Sequence, residues 1–329
     1  MAHEEDEFES SGWQLTESDP GVFSELLKSL GVPMIVDDLY SLDPASLAIL
    51  QPLHALIFLF KWLPSTGDIA NAPSAGRSDP DFSGFFAHQV VNNACATLAV
   101  MNALGNIPSL TCGPQLSELM SFASVMDAQT RGLVITSADW LREAHNALSP
   151  PSAVSMDGLG LPRNKSEDVY HFVVYLPVMG VLYELDGLKE HPIKHGSCED
   201  AGEGWVKRAR EAIESRIASY PEGSIEFSLL ALRDDPLPKM EATLAELQAS
   251  NKSAEANDLL FNISNEKSKR EAWAFENSLR RHNHVGLLHA LVHALAKSGK
   301  LPAAKENARQ ASTARAQRRK AAGGAMEED

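Results

Sequence analysis

Apolar positions along this chain repeat with two periods, and the changes of period divide it into elements. Phe23, Leu26, Leu27 and Leu30 share one face of a helix; Glu17-Ser18-Asp19-Pro20 signals its start and Gly31 its end. Met34-Ile35-Val36 predicts a short strand, and Asp43-Pro44 opens a short helix through Ile49. His54 to Phe60 is apolar on both faces, as a central strand covered on each side requires. Pro64 to Pro80, rich in Gly, Pro, Ser and Asp, reads as a surface loop. Ala94, Leu98, Met101 and Leu104 then predict a helix with Gly105 as its stop and Asn92 and Asn93 as N-cap residues. A helical run from Gln115 reaches Asn146. Ser149 to Asp168 holds Pro150, Pro151, Gly158, Gly160 and Pro162 without sustained periodicity. A structureless stretch of about twenty residues inside a compact domain points to a functional loop.

Val169 to Leu176 and Val181 to Asp186 read as two strands of a hairpin. A two-residue loop at Val178-Met179 and a four-residue loop at Pro177 to Gly180 share one centre, and either places His171 opposite Asp186 on the same face. A three-residue loop would send them to opposite faces, and Val-Met is not a favoured turn pair. A helix over Gly204 to Ala218 follows, then a strand over Ile225 to Leu232 expected to close the sheet. Past Asp234 the composition turns helical and charged, with Pro236-Leu237-Pro238 as a break. Met240 to Ser250 and Ala256 to Arg281 predict amphipathic helices. Asn283 caps another that carries Leu287, Leu288, Leu291, Val292 and Leu295 and stops at Gly299. Pro302 opens an Ala-rich segment bearing Lys305, Arg309, Arg315, Arg318, Arg319 and Lys320. The expected division is an acidic tail over 1–10, a catalytic domain over 11–234, a helical extension over 235–300 and a basic tail over 301–329.

Composition narrows the function classes. At 329 residues and 44% hydrophobic, the chain can bury a substantial core. A net charge of -15 argues against general nucleic-acid binding and suits a basic protein partner, although acidic surfaces are common on soluble proteins. Three cysteines, an odd number, argue against a disulfide framework and for a reducing compartment. The acidic N-terminus lacks the apolar run of a signal peptide, and the longest apolar run, Ala55 to Phe60, is far too short to span a bilayer. A soluble, intracellular protein is expected.

Cys95 falls in the first turn of its predicted helix, where the macrodipole and unpaired N–H groups favour a thiolate. A small buried cysteine on an apolar face is the ordinary alternative. A cysteine hydrolase also needs an imidazole, a group to orient it and donors for an oxyanion. His171, Asp186, Gln89 and the Cys95 backbone N–H fill those roles. Cys112, before Gly113-Pro114, and Cys198, in a polar turn, head no helix. His289 and His293 are four apart on a helix, but Ala290 lies where a zinc protease carries Glu and no third ligand is evident, so no metal is expected. Glu184, near the end of its strand, reads as a solvated neighbour.

Several blocks together resemble one family. They are Trp13 with Glu17-Ser18-Asp19-Pro20-Gly21-Val22-Phe23, Leu56 to Trp62, Phe85 to Thr97, and His171-Phe172-Val173 with Leu182 to Leu188. In this order they resemble the ubiquitin C-terminal hydrolases, cysteine deubiquitinases, over about residues 11 to 234. Arg280-Arg281-His282-Asn283-His284, the apolar helix after it and the basic tail resemble the extension of the family's long, proteasome-associated branch. Ala96, following the Cys, also resembles that branch. The resemblance implies Cys95 as nucleophile, His171 as general base and acid, Asp186 as its orienter and Gln89 as an oxyanion donor, with no cofactor. It implies a papain-like, knotted α/β fold: a mostly antiparallel sheet between helical layers, plus an all-α C-terminal extension. Ser149 to Asp168 becomes a crossover loop over the site. Ubiquitin and its conjugates are the implied substrates, the proteasomal ubiquitin receptor the implied partner, and cytoplasm and nucleus the implied location. The rival class is a catalytically weak ubiquitin-binding scaffold of a proteasome or chromatin complex. A general papain-like protease would instead cut short unstructured peptides.

Overall fold

The computed structural model describes residues 12–62, 76–149, 169–198, 203–220 and 227–324. Helix α1 (Pro20–Ser29) starts at Asp19, whose carboxylate accepts the Val22 N–H at 3.1 Å. Strand β1 (Met34–Asp38), helix α2 (Pro44–Ile49), strand β2 (Leu53–Trp62) and the two-residue strand β3 (Arg77–Ser78) follow. Helices α3 (Cys95–Leu104), α4 (Pro114–Ser124), α5 (Ala128–Thr136) and α6 (Asp139–Asn146) come next. Then come β4 (Val169–Val178), β5 (Val181–Leu185), β6 (Ile193–Ser197), α7 (Trp205–Ala218) and β7 (Phe227–Asp234). The chain ends in helices α8 (Pro236–Ala249), α9 (Ser253–Arg281), α10 (Val285–Lys297) and α11 (Leu301–Gly324).

The strands form one sheet in the order β1-β7-β2-β4-β5-β6-β3, and every pairing among them is antiparallel. β2 is central, and its two-sided apolarity is used on both faces. Ala55 and Ile57 join a core with residues of α1, α3 and α4 to α6, while Leu56, Phe58 and Phe60 join a second with α2 and α7. The fold is thus an α/β sandwich with C-terminal helices, as expected. β7 does not close the sheet; it lies between β1 and β2. Its alternating residues explain the interior place, since Leu230 and Leu232 enter one core and Leu229 and Ala231 the other. Ile225, the expected start of that strand, lies outside the described residues.

Hairpin β4–β5 also departs from expectation. Val178 pairs with Val181, so Met179 and Gly180 form a two-residue loop. Both have positive φ, 50° and 75°, the backbone that matches the twist of antiparallel strands. The pairing therefore slides by two residues, with Val174 opposite Leu185 and Tyr175 opposite Glu184. An even slide keeps each side chain on its face. His171 and Asp186 still share a face, as diagonal rather than directly opposed neighbours.

The described residues fall into two compact units, one reaching from residue 12 to residue 281 and the other from residue 282 to residue 324. Helices α8 and α9 belong to the first, and α10 and α11 to the second. The composition break after Asp234 thus marks the start of α8 inside the first unit. The acidic tail over 1–10, the expected crossover loop and most of the Pro64 to Pro80 loop lie outside the described residues. Among those described, no helix is long and apolar enough to cross a membrane.

Candidate active site

Helix α3 is buried on every side from Ala96 to Leu104, so its apolar residues recur beyond the single face read from the sequence. Only its N-terminus approaches the surface, and Cys95, half-buried, is its first residue. Asn92 and Asn93 do not cap it. The N-cap is Ala94, with no side-chain cap bond, and Asn93 takes a left-handed backbone, φ 67°, to donate its Nδ2–H to the Trp13 carbonyl at 3.0 Å. Ala94 itself offers no side-chain acceptor to the first-turn N–H groups.

β4 brings His171 to this helix end. Its Nε2–H donates to Asp186 Oδ1 at 2.6 Å, with both side chains buried. The ring is also hydrogen-bonded to Cys95. Burial alone would push the His171 pKa down. The hydrogen bonds to Asp186 and Cys95 and their negative charges outweigh it and raise the value to about 9. A protonated imidazole at neutral pH beside a thiol is the electrostatic setting of a thiolate–imidazolium pair. Asp186 is fixed in turn, because its Oδ1 also accepts the Leu188 N–H at 3.0 Å. Phe60, paired with His171 across β2 and β4, sets its ring edge-to-face against the imidazole at 5.8 Å.

Gln89 enters through its backbone. Its N–H donates to the Gly187 carbonyl at 2.8 Å, one residue beyond Asp186. Its side-chain oxygen is buried without a hydrogen-bond partner among the described residues. The structure therefore links the four sequence-derived residues by contact: Cys95 to His171, His171 to Asp186, and the Asp186 turn to Gln89.

Glu184 is not solvated. It is 1% exposed, pairs with Arg216 of α7 at 2.5 Å and accepts from His195 Nε2 at 3.1 Å. Burial would raise its carboxyl pKa, but the charges of Arg216 and His195 bring it down to about 2. Helix α7 covers this end of β5, a long-range contact that strand position alone does not reveal. Arg216 also stacks over the Phe60 ring at 4.2 Å, behind the His171 contact. Among the described residues no group of three or more His, Cys, Asp or Glu is placed to hold a metal. His289 and His293 stack their rings at 6.2 Å on α10.

Residues 13–218 match the family model for ubiquitin carboxyl-terminal hydrolase, family 1, and residues 256–301 match a second model, for ubiquitin carboxyl-terminal hydrolases. The chain belongs to this family of cysteine peptidases. It is 37% identical over 310 residues to the Caenorhabditis elegans ubiquitin carboxyl-terminal hydrolase ubh-4, covering 92% of this chain and 93% of the relative. It is 31% identical over 334 residues to isozyme L5 of Dictyostelium discoideum, covering 89% and 94%. The family fold is met in the crystal structure of Trichinella spiralis UCH37 bound to ubiquitin vinyl methyl ester, at 34% identity and a TM-score of 0.64 over 80% of this chain and 99% of that one. The second family model and the two relatives extend the likeness into the C-terminal helices.

Proposed function

We propose that this hydrolase cleaves the bond after the C-terminal glycine of ubiquitin through a thiol acyl-enzyme, with Cys95 as nucleophile. In this reading the Cys95 thiolate attacks the glycine carbonyl, and the developing oxyanion takes hydrogen bonds from the Cys95 N–H and the Gln89 carboxamide. His171, already protonated, gives its proton to the leaving amine as the C–N bond breaks. The thioester that remains is attacked by a water whose proton passes to His171, and ubiquitin leaves with its carboxylate restored. Asp186 keeps the imidazole oriented and charged throughout. The observation that carries the reading is the double engagement of His171, by Asp186 on one side and Cys95 on the other. Ubiquitin as ligand follows from family membership, and the Trichinella relative was crystallised with a ubiquitin ester.

Helices α10 and α11 extend the proposal. Leu287, Leu288, Leu291 and Val292 are all exposed on α10, a face that suits docking on a proteasomal ubiquitin receptor. Three cysteines, none of them in a disulfide, fit a reducing compartment, here cytoplasm and nucleus.

Replacing Cys95→Ala is expected to abolish turnover of a fluorogenic ubiquitin amide while ubiquitin affinity, measured by calorimetry, stays within about twofold. An electrophilic ubiquitin probe should label the native chain and not the Cys95→Ala form. Turnover retained without the thiol would overturn the assignment, and absence of labelling in the native chain would favour a scaffold.

A further inference from the structure

Residues 85–89, which carry Gln89 to the site, belong to no helix or strand, yet their backbone groups are bound with a period of two. Asn106, two residues past the end of α3, accepts the Phe85 N–H at 2.9 Å and donates to the Phe85 carbonyl at 2.7 Å. Asn102, in the last turn of α3, accepts the Ala87 N–H at 2.7 Å and donates to the Ala87 carbonyl at 3.2 Å. The even residues face the other way. Arg131 of α5 donates to the Phe86 carbonyl at 2.6 Å, and the His88 N–H donates to the Ala128 carbonyl at 3.0 Å. Gly132 lets α5 lie this close, since a Cβ there would strike the His88 carbonyl.

A carboxamide offers one acceptor and one donor in a plane, so each Asn pairs with one residue as a neighbouring strand would. The spacings match. Gly105 keeps the right-handed course of α3 beyond its end, so the four residues from Asn102 rise by about 6 Å, and two residues of extended chain advance by about 6.6 Å. The segment runs antiparallel to α3, with Phe85 at Asn106 and Ala87 at Asn102. One further step of that spacing would bring residue 89 toward the first turns of the helix that Cys95 begins. Asn102 is 1% exposed and holds the last rung before Gln89.

We infer that Asn102 is a positioning residue for the oxyanion hole, setting the register of Gln89 against the helix that bears the nucleophile. The inference rests on the reading of Gln89 as an oxyanion donor. Because the same helix carries both Cys95 and Asn102, a displacement of α3 moves nucleophile and donor together.

A double-mutant cycle in the full chain tests this, with a fluorogenic ubiquitin amide as substrate. Gln89→Ala is expected to lower kcat by about 10²–10³-fold. Asn102→Ala is expected to lower it by roughly 10- to 100-fold at nearly constant KM. In the Gln89→Ala background, Asn102→Ala should cost less than about twofold, because the group it places is already gone. Ubiquitin affinity of a Cys95→Ala form should not change when Asn102→Ala is added, which separates misplacement from unfolding. If Asn102→Ala does not fold, Asn106→Ala is read in the same cycle and should show the same non-additivity with a smaller loss. An equal fold-loss in both backgrounds would overturn the inference while leaving Gln89 in its role. An unchanged kcat for Gln89→Ala would remove that role and the inference with it.

Discussion

His171 shows how one buried ring is made to hold a proton. Desolvation works against the charge, and the hydrogen bonds and charges of Asp186 and Cys95 reverse that, leaving a value of about 9. This lies above the ordinary imidazole value of about 6.5, so the sign is fixed. Protonation of His171 stabilises the folded state fully below about pH 6.5, and that contribution is lost as pH rises through about 9. The alkaline limb of kcat/KM is expected at the same place, where the imidazolium gives up its proton. Asp186→Asn keeps an acceptor oxygen for Nε2–H but removes the charge, and it should move that limb down by about 1–3 pH units. A profile from pH 5 to 10 checks it, and an unmoved limb would mean that Asp186 only aligns the ring. These residues were legible in the sequence because thiol, imidazole, carboxylate and carboxamide have few substitutes in the proposed chemistry. Glu184, Arg216 and His195 were not. Their pairing spans β5, β6 and α7, and nothing local to Glu184 announces an arginine from another element.

At the scale of elements, the even slide of hairpin β4–β5 explains why a register placed two residues out still put His171 and Asp186 on one face. Face depends on parity alone, while register depends on which loop residues tolerate positive φ. Met179-Gly180 escapes a search for favoured turn pairs because methionine is a poor occupant of that backbone. Its side chain is 81% exposed, so little packing holds it there. Asn adopts the left-handed backbone readily, so Met179→Asn should stabilise the fold by about 0.5–1 kcal/mol with unchanged kcat. Urea unfolding of the two forms measures this, and a loss of stability would show that the methionine packs in a way its exposure does not reveal. The carboxamide ladder was hidden for a different reason. Asn102 interrupts an otherwise apolar helix, Asn106 lies just past its end, and their partners lie in a segment whose period-two pattern appears in backbone hydrogen bonds rather than in side-chain hydrophobicity.

On the scale of the whole molecule, the break in composition after Asp234 and the edge of the compact unit at Arg281 are separate features. Helix α9 returns from α8 and lies along α1, where Asn277, buried, donates to the Gly21 carbonyl at 3.0 Å. Arg280 pairs with Asp19 and Glu17, each at 3.0 Å, so the helix-start signal of α1 is also the docking point for the end of α9. Lys269 reaches Asp37 of β1 at 2.7 Å, and Arg270 pairs with Asp235 at 2.5 Å. Burial would raise the Asp235 pKa, but Arg270 brings it below the ordinary carboxylate range, so this pair stabilises the fold above about pH 4 and acid removes it. A chain ending at Asp234 loses these partners. A lost hydrogen bond costs about 0.5–1.5 kcal/mol, and single exposed ion pairs add about 0–1 kcal/mol each. At about 2–4 °C per kcal/mol for a domain of this size, its Tm should fall by about 5 °C or more. A chain ending at Arg281 keeps every one of these contacts and should melt within about 2 °C of the full chain. Thermal unfolding of the three chains in one buffer decides the matter, and repeating it in 1 M salt should narrow the gap by the screened ion pairs alone. Equal melting of the Asp234 and Arg281 forms would mean that α9 rests on the catalytic unit without stabilising it.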